Sequence, residues 1–143
     1  MEYEKIFNES YARVLRRKIG GKEFFEVFYQ RFVQSSGEVA EKFKNTDMAK
    51  QQRMVKDSLR HMLSCYVQRE INDEIVHIAV MHNKANLDIQ PKHYDLWLET
   101  LIETAREFDD EFDKYSELAW RIVLAIGITY MKFRYNHLLY KFR

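Results

Sequence analysis

Four side chains in this sequence have the types and the order to surround a single iron and a small ligand on it: Tyr29, Phe43, Gln51 and His82. A neutral imidazole such as that of His82 is a common metal ligand. The Gln51 amide can donate a hydrogen bond to a ligand and accept one from a neighbour. Tyr29 stands in a row of phenylalanines, and a core phenol needs a partner for its hydroxyl. Phe43 offers a ring to stack on a flat group. The spacing lets a flat cofactor lie between a helix bearing Gln51 and a helix bearing His82. Each residue also has a plainer reading: a core or surface histidine, a helix-surface glutamine, a core tyrosine, a corner aromatic. Gln52 replaces Gln51 if the register moves by one. His77 competes with His82, but lies five residues earlier and is expected to point well away around the helix. His93 falls beyond Pro91 in a different helix, and His61 and His137 are expected to be exposed.

The elements that must position these residues read as helices. Four Gly and one Pro, against ten Phe and nine Tyr, are too few turn residues for a sheet protein of 143 residues. A first amphipathic helix is predicted over 3–18, with Ile6, Phe7, Val14 and Leu15 as its stripe, broken by Gly20 and Gly21. A second, over 22–35, carries Phe24, Phe25, Phe28, Phe32 and Val33 at helical spacing and ends at Ser35-Ser36-Gly37. A short turn passes through Val39 and Phe43. Asn45-Thr46-Asp47 reads as the cap of a helix over 47–67, whose inner face carries Met48, Gln51, Val55, Leu59, Met62, Leu63 and Tyr66. A helix over 73–83 turns Ile75, Ile78, Ala79 and His82 inward, and 86–90 is a loop. Pro91 suits the first turn of the next helix, which runs to about 108 with Leu98, Leu101 and Ile102 inside. Asp109-Asp110 marks a corner. The last helix, from 116 to about 139, is apolar nearly all round and so is buried on several sides. The expectation is an all-α chain, one domain over 1–143, with about six long helices plus short turns packed around a central pocket.

Composition excludes several classes. A net charge of +1 gives no reason to expect nucleic acid or an anionic membrane as a partner. The basic stretch Arg13, Arg16, Arg17 and Lys18 reads as a solvated helix face. A single cysteine, Cys65, rules out an internal disulfide and any cysteine-held metal cluster, and fits a reducing, cytoplasmic setting. No signal peptide opens the sequence, and its longest strongly apolar stretch, 122–130, is too short to span a bilayer.

Order and spacing of these features together resemble the globins, in particular bacterial single-domain globins and the globin domains of haem-based sensors. The likeness rests on Phe28-Tyr29, Phe43, Asp47-Met48-Ala49-Lys50-Gln51, Ile78-Ala79-Val80-Met81-His82, Ile89-Gln90-Pro91-Lys92-His93-Tyr94 and Ala119-Trp120, and covers essentially the whole chain. It implies a globin fold around haem b (iron protoporphyrin IX), with His82 as the iron ligand from the protein and Tyr29 and Gln51 as the distal residues that stabilise a ligand. Val55 would close the pocket over the iron, Phe43 would stack on the porphyrin and Ile78 would pack beneath it. Met81, Ile89, Tyr94 and Trp97 complete the expected lining. Dioxygen, carbon monoxide and nitric oxide are the implied ligands, and gas sensing or ligand handling the implied role. The alternative is nitric oxide dioxygenation with a separate reductase; a third reading is a helical interaction module without haem. Many bacterial globins pair the tyrosine equivalent to Tyr94 with a glutamate on the last helix, which polarises the proximal histidine. Here that position falls near Tyr135 with no acid close by, so ligand binding is expected over peroxidase-like chemistry. Sensor globins pair through their last two helices, and Trp97, Tyr115, Tyr130 and Phe133 are the expected surface of such a homodimer.

Overall fold

The computed structural model describes residues 2–138. Its elements are α1 (Tyr3–Arg16), β1 (Lys18–Ile19), β2 (Lys22–Glu23), α2 (Phe24–Gln34), α3 (Gly37–Phe43), α4 (Met48–Gln68), α5 (Asp73–His82), α6 (Pro91–Phe108) and α7 (Lys114–Arg134). The fold is all-α, with six long helices and one short one among the described residues. The segment through Val39 and Phe43, expected as a turn, is the short helix α3, because the Ser36 hydroxyl accepts from the amides of Glu38 and Val39. The helix expected from 22 starts at Phe24. Gly20 and Gly21, at φ +59° and +77°, make a tight hairpin turn that pairs Lys18 with Glu23 and Ile19 with Lys22. The last helix begins at Lys114, where the Asp113 carboxylate accepts from the amides of Tyr115 and Ser116. It ends at Arg134 rather than near 139; residue 139 itself lies outside the described residues.

Packing follows from the apolar stripes. α1 lies on α6 and α7, α2 on α3 and α6, and α4 and α5 both on α7. An aromatic block fills one end: Phe7 and Phe24 lie around Trp120, with ring centroids 4.9 Å and 6.1 Å from it, and Phe25 and Phe108 close on Phe24. Leu15, expected in the stripe of α1, is exposed. The buried residues of α1 are Phe7, Ser10 and Val14, and the polar Ser10 is fully buried among them.

Ser10 belongs to a buried polar network that the sequence does not announce. Its hydroxyl donates to Asp109 Oδ2 at 2.6 Å and accepts from Trp120 Nε1 at 2.9 Å. Arg13 Nε donates to Asp109 Oδ1 at 2.5 Å. Arg13 therefore does not belong to a solvated basic face; it ties α1 to the corner after α6. Burial alone would raise the Asp109 pKa, but the bonds from Arg13, Ser10 and the Glu111 amide outweigh it and hold the carboxyl below its ordinary value. A depressed folded-state pKa contributes stability above the unfolded value, about 3.9, that is lost as pH falls through the folded one.

On the far side of the core, an added Cβ at Gly127 of α7 would lie 2.9 Å from Met62 Cγ of α4. The two helices approach there because one residue has no side chain. Replacing Asp109 by Ala should cost about 1–3 kcal/mol of stability, because the buried Ser10 hydroxyl loses its acceptor and Arg13 keeps only the more distant Glu111, 3.7 Å from its Nε. Gly127→Val should cost about 1–3 kcal/mol by overpacking Met62. Urea unfolding of the two variants checks both.

Candidate functional site

Between α4 and α5 lies a cavity of about 270 Å³, walled also by α2, α3, α6 and α7. Tyr29, Phe43, Gln51, Val55, Ile78, Met81, His82, Ile89, Tyr94 and Trp97 all line it. Local folding explains the arrangement. Asp47 caps α4 through the Lys50 amide, which fixes the register that turns Gln51 and Val55 to one wall. Asn72 caps α5 through the Ile75 amide at 2.9 Å and sets the turn that carries His82. Gln52 does not line the cavity, so the register stays on Gln51.

On the α4 side two polar groups meet. Tyr29 is 3% exposed, and its phenol oxygen accepts from Gln51 Nε2 at 3.2 Å. The amide supplies the hydrogen in that bond, so the phenol keeps its own proton for another acceptor. Burial pushes the Tyr29 pKa up to about 12, against a smaller lowering by Gln51. The phenol is therefore a protonated donor throughout the physiological range. The Phe43 ring sits edge-on to Tyr29, with centroids 5.7 Å apart, and to Phe32 at 5.9 Å.

On the α5 side, His82 Nδ1 lies 2.6 Å from the Ile78 carbonyl. A carbonyl can only accept, so Nδ1 carries the hydrogen and Nε2 holds the free lone pair. Burial lowers the His82 pKa, only partly offset by the Ile78 bond, which favours the neutral ring that a metal needs. Among the described residues no group of three or more His, Cys, Asp and Glu side chains could hold a metal ion by itself. A lone nitrogen donor in an apolar cavity fits an ion that brings most of its own ligands, as a haem iron does.

The other histidines separate on geometry. His93 is buried and lines the cavity, yet both its nitrogens are committed: Nδ1 accepts from the Gln90 amide at 3.0 Å, and Nε2 lies 2.9 Å from Glu38 Oε2. His77 was expected to point away; it is exposed but reaches the rim of the cavity. His61 is half-buried rather than exposed, while His137 is exposed.

Several lining residues escaped the sequence reading. Met62 and Met131 line the cavity from α4 and α7, where apolar stripes give no hint of which members border a void. Lys42 donates to the Leu87 carbonyl at 3.0 Å, joining α3 to the α5–α6 corner. That corner is built from local bonds: the Ile89 amide donates to the His82 carbonyl at 2.9 Å, and Asp88 sits at φ 54°. Tyr135 donates its hydroxyl to Asp88, which holds that left-handed residue in place. Burial pushes the Tyr94 phenol up.

Among solved structures, the chain is similar to a protein of Pseudomonas aeruginosa PAO1 described as structurally highly homologous to a human hemoglobin. The TM-score is 0.84 and the identity 31%, over 94% of this chain and 98% of that one. No protein-family model and no curated protein matches the chain.

The state of Tyr29 can be read directly. In an ultraviolet titration of the described protein, Tyr29→Phe should remove one of the tyrosines that ionise late. Gln51→Leu should push Tyr29 higher still, because the amide bond favours the phenolate. Stability owed to the protonated phenol is present below its unfolded value, about 10, and is lost as pH rises through about 12.

Proposed function

Because the chain belongs to the globin family, we propose that it binds haem b through His82 and reversibly takes up dioxygen and other diatomic gases for sensing or ligand handling. The observation that carries this reading is the pairing of two opposite walls. One presents an imidazole whose Nδ1 is fixed by the Ile78 carbonyl; the other presents a Tyr29 phenol oriented by Gln51. When bound, haem supplies an iron that ligates diatomic gases reversibly.

The remaining work falls to the protein. His82 gives its Nε2 lone pair, and the Nδ1–H bond to Ile78 fixes the tautomer and keeps the ring oriented. Phe43, Val55, Ile78, Met81, Ile89, Tyr94 and Trp97 supply the apolar walls that hold a flat ring and exclude water. Tyr29 would donate a hydrogen bond to the negative end of a polar ligand, and Gln51 holds the phenol ready for that. Dioxygen, which takes on more charge than carbon monoxide, gains more from this donor. The P. aeruginosa neighbour is likened to hemoglobin, which supports binding; the sensor role is drawn from the resemblance of the sequence alone. No helix among the described residues is long and apolar enough to cross a membrane, and the cytoplasmic setting is proposed from the lone buried Cys65.

A homodimer through the last two helices is part of the same proposal, with a changed surface. Trp97 lines the cavity and Tyr130 is buried, so neither is available. Tyr115 and Phe133 are exposed, and with Leu118 and Ala125 they mark an outward strip of α7.

Three outcomes are expected. His82→Ala should abolish normal haem retention while His77→Ala and His93→Ala keep it; a full Soret band in His82→Ala, without added imidazole, would contradict the assignment. Tyr29→Phe should speed dioxygen release roughly tenfold, or about 1.4 kcal/mol, with carbon monoxide release changed much less in stopped-flow traces. Leu118→Glu should shift a dimeric mass to a monomeric one in sedimentation at micromolar concentration.

A further inference from the structure

Sulfur is distributed unevenly around the cavity. Four of the six methionines line it. Met62 and Met131 are enclosed, at 2% and 6% exposure. Met54 on α4 and Met81 on α5 stand on the two opposing walls, at 51% and 47% exposure, with the equally open Leu87 beside them. Met48 is half-buried and lies outside the lining. The one thiol, Cys65, is fully buried. The accessible sulfur of the described residues is thus concentrated at the cavity's mouth.

We propose that Met54 and Met81 form a reversible oxidation site, modified first by hydrogen peroxide, and that their oxidation loosens the grip on the cofactor. In each event the thioether sulfur attacks one peroxide oxygen, the O–O bond breaks, and the sulfur gains an oxygen atom. The sulfur is oxidised by two electrons, and the peroxide leaves as water after proton transfer. Susceptibility follows exposure, so the rim reacts before the enclosed pair. The product is polar where an apolar flexible side chain stood. A sulfoxide pressed against an apolar ring loses hydration without gaining a partner. The rim would then open or rehydrate, and the flat group between the walls would be released faster. Methionine sulfoxide reductases reverse the change, so the grip is restored once the sulfoxides are reduced. Which methionines react stands on exposure alone; the consequence for the cofactor rests on the haem reading above.

The test treats the protein with hydrogen peroxide before haem is added, where the exposures above apply, removes the excess with catalase, maps the added oxygen by peptide mass spectrometry and then loads haem. Haem transfer to an acceptor apoprotein is then timed. The expected result is oxygen on Met54 and Met81 well before Met62 and Met131, with transfer at least about tenfold faster, a change of about 1.4 kcal/mol. Reductase treatment should restore the original rate. A Met54→Leu, Met81→Leu double variant, which keeps the apolar volume, should hold its transfer rate through the same treatment. Equal oxidation of the enclosed pair, or an unchanged transfer rate in the oxidised protein, would overturn the proposal. A purified protein that never carries haem would instead overturn the function above, and the mass spectrum would still decide which sulfurs react.

Discussion

The structure depends on an apolar void that its own side chains do not fill. Interiors are normally packed to crystal density, and unfilled space forfeits the contacts that its walls would otherwise make. Here α4 and α5 both lean on α7, yet a cavity of about 270 Å³ stays open between them. The missing side chain at Gly127 lets Met62, itself part of the lining, settle against α7. Lys42, reaching the Leu87 carbonyl, ties α3 to the corner that follows α5. The proposed function places the cofactor in this space.

The polar groups make sense in relation to that space. Burying a phenol, an amide and an imidazole in apolar walls is unfavourable unless each finds a partner. Tyr29 and Gln51 partner each other, and His82 partners the Ile78 carbonyl. Each pair leaves one function over: a phenol proton on one wall and a nitrogen lone pair on the other. Meanwhile the Ser10–Asp109–Arg13 network anchors the opposite end of the molecule, where α1 meets the corner after α6. The cavity's own polar groups are arranged in pairs with capacity to spare.

Much of this was legible in the sequence because helical period and caps are local properties. The stripe from Gln51 through Val55 and Leu59 identified the inner face of α4, and the Asp47 cap fixed its phase. The same holds for Ile75, Ile78 and His82 on α5. Long-range pairings were not legible. Arg13 looked like one more basic residue on a solvated face, since nothing local shows that Asp109, 96 positions on, would accept from it. Trp97 was expected both in the lining and on a dimer surface, and the structure places it in the lining; Tyr130 looked like surplus apolar surface but is buried, because a count of aromatics cannot tell core from outside. His77 shows the limit of reasoning by helix angle: 100° per residue turns its Cα away from His82, yet its side chain still reaches the rim.

The account stands or falls on whether the void is filled by haem iron held from the α5 side. The direct measurement is the visible absorption spectrum of the purified, reduced protein, taken with and without carbon monoxide. The expected result is a haem Soret band, in amount equal to the protein, that shifts on adding carbon monoxide and shifts back when the gas is removed. A protein that remains colourless after incubation with haem, or whose spectrum ignores carbon monoxide, would contradict it.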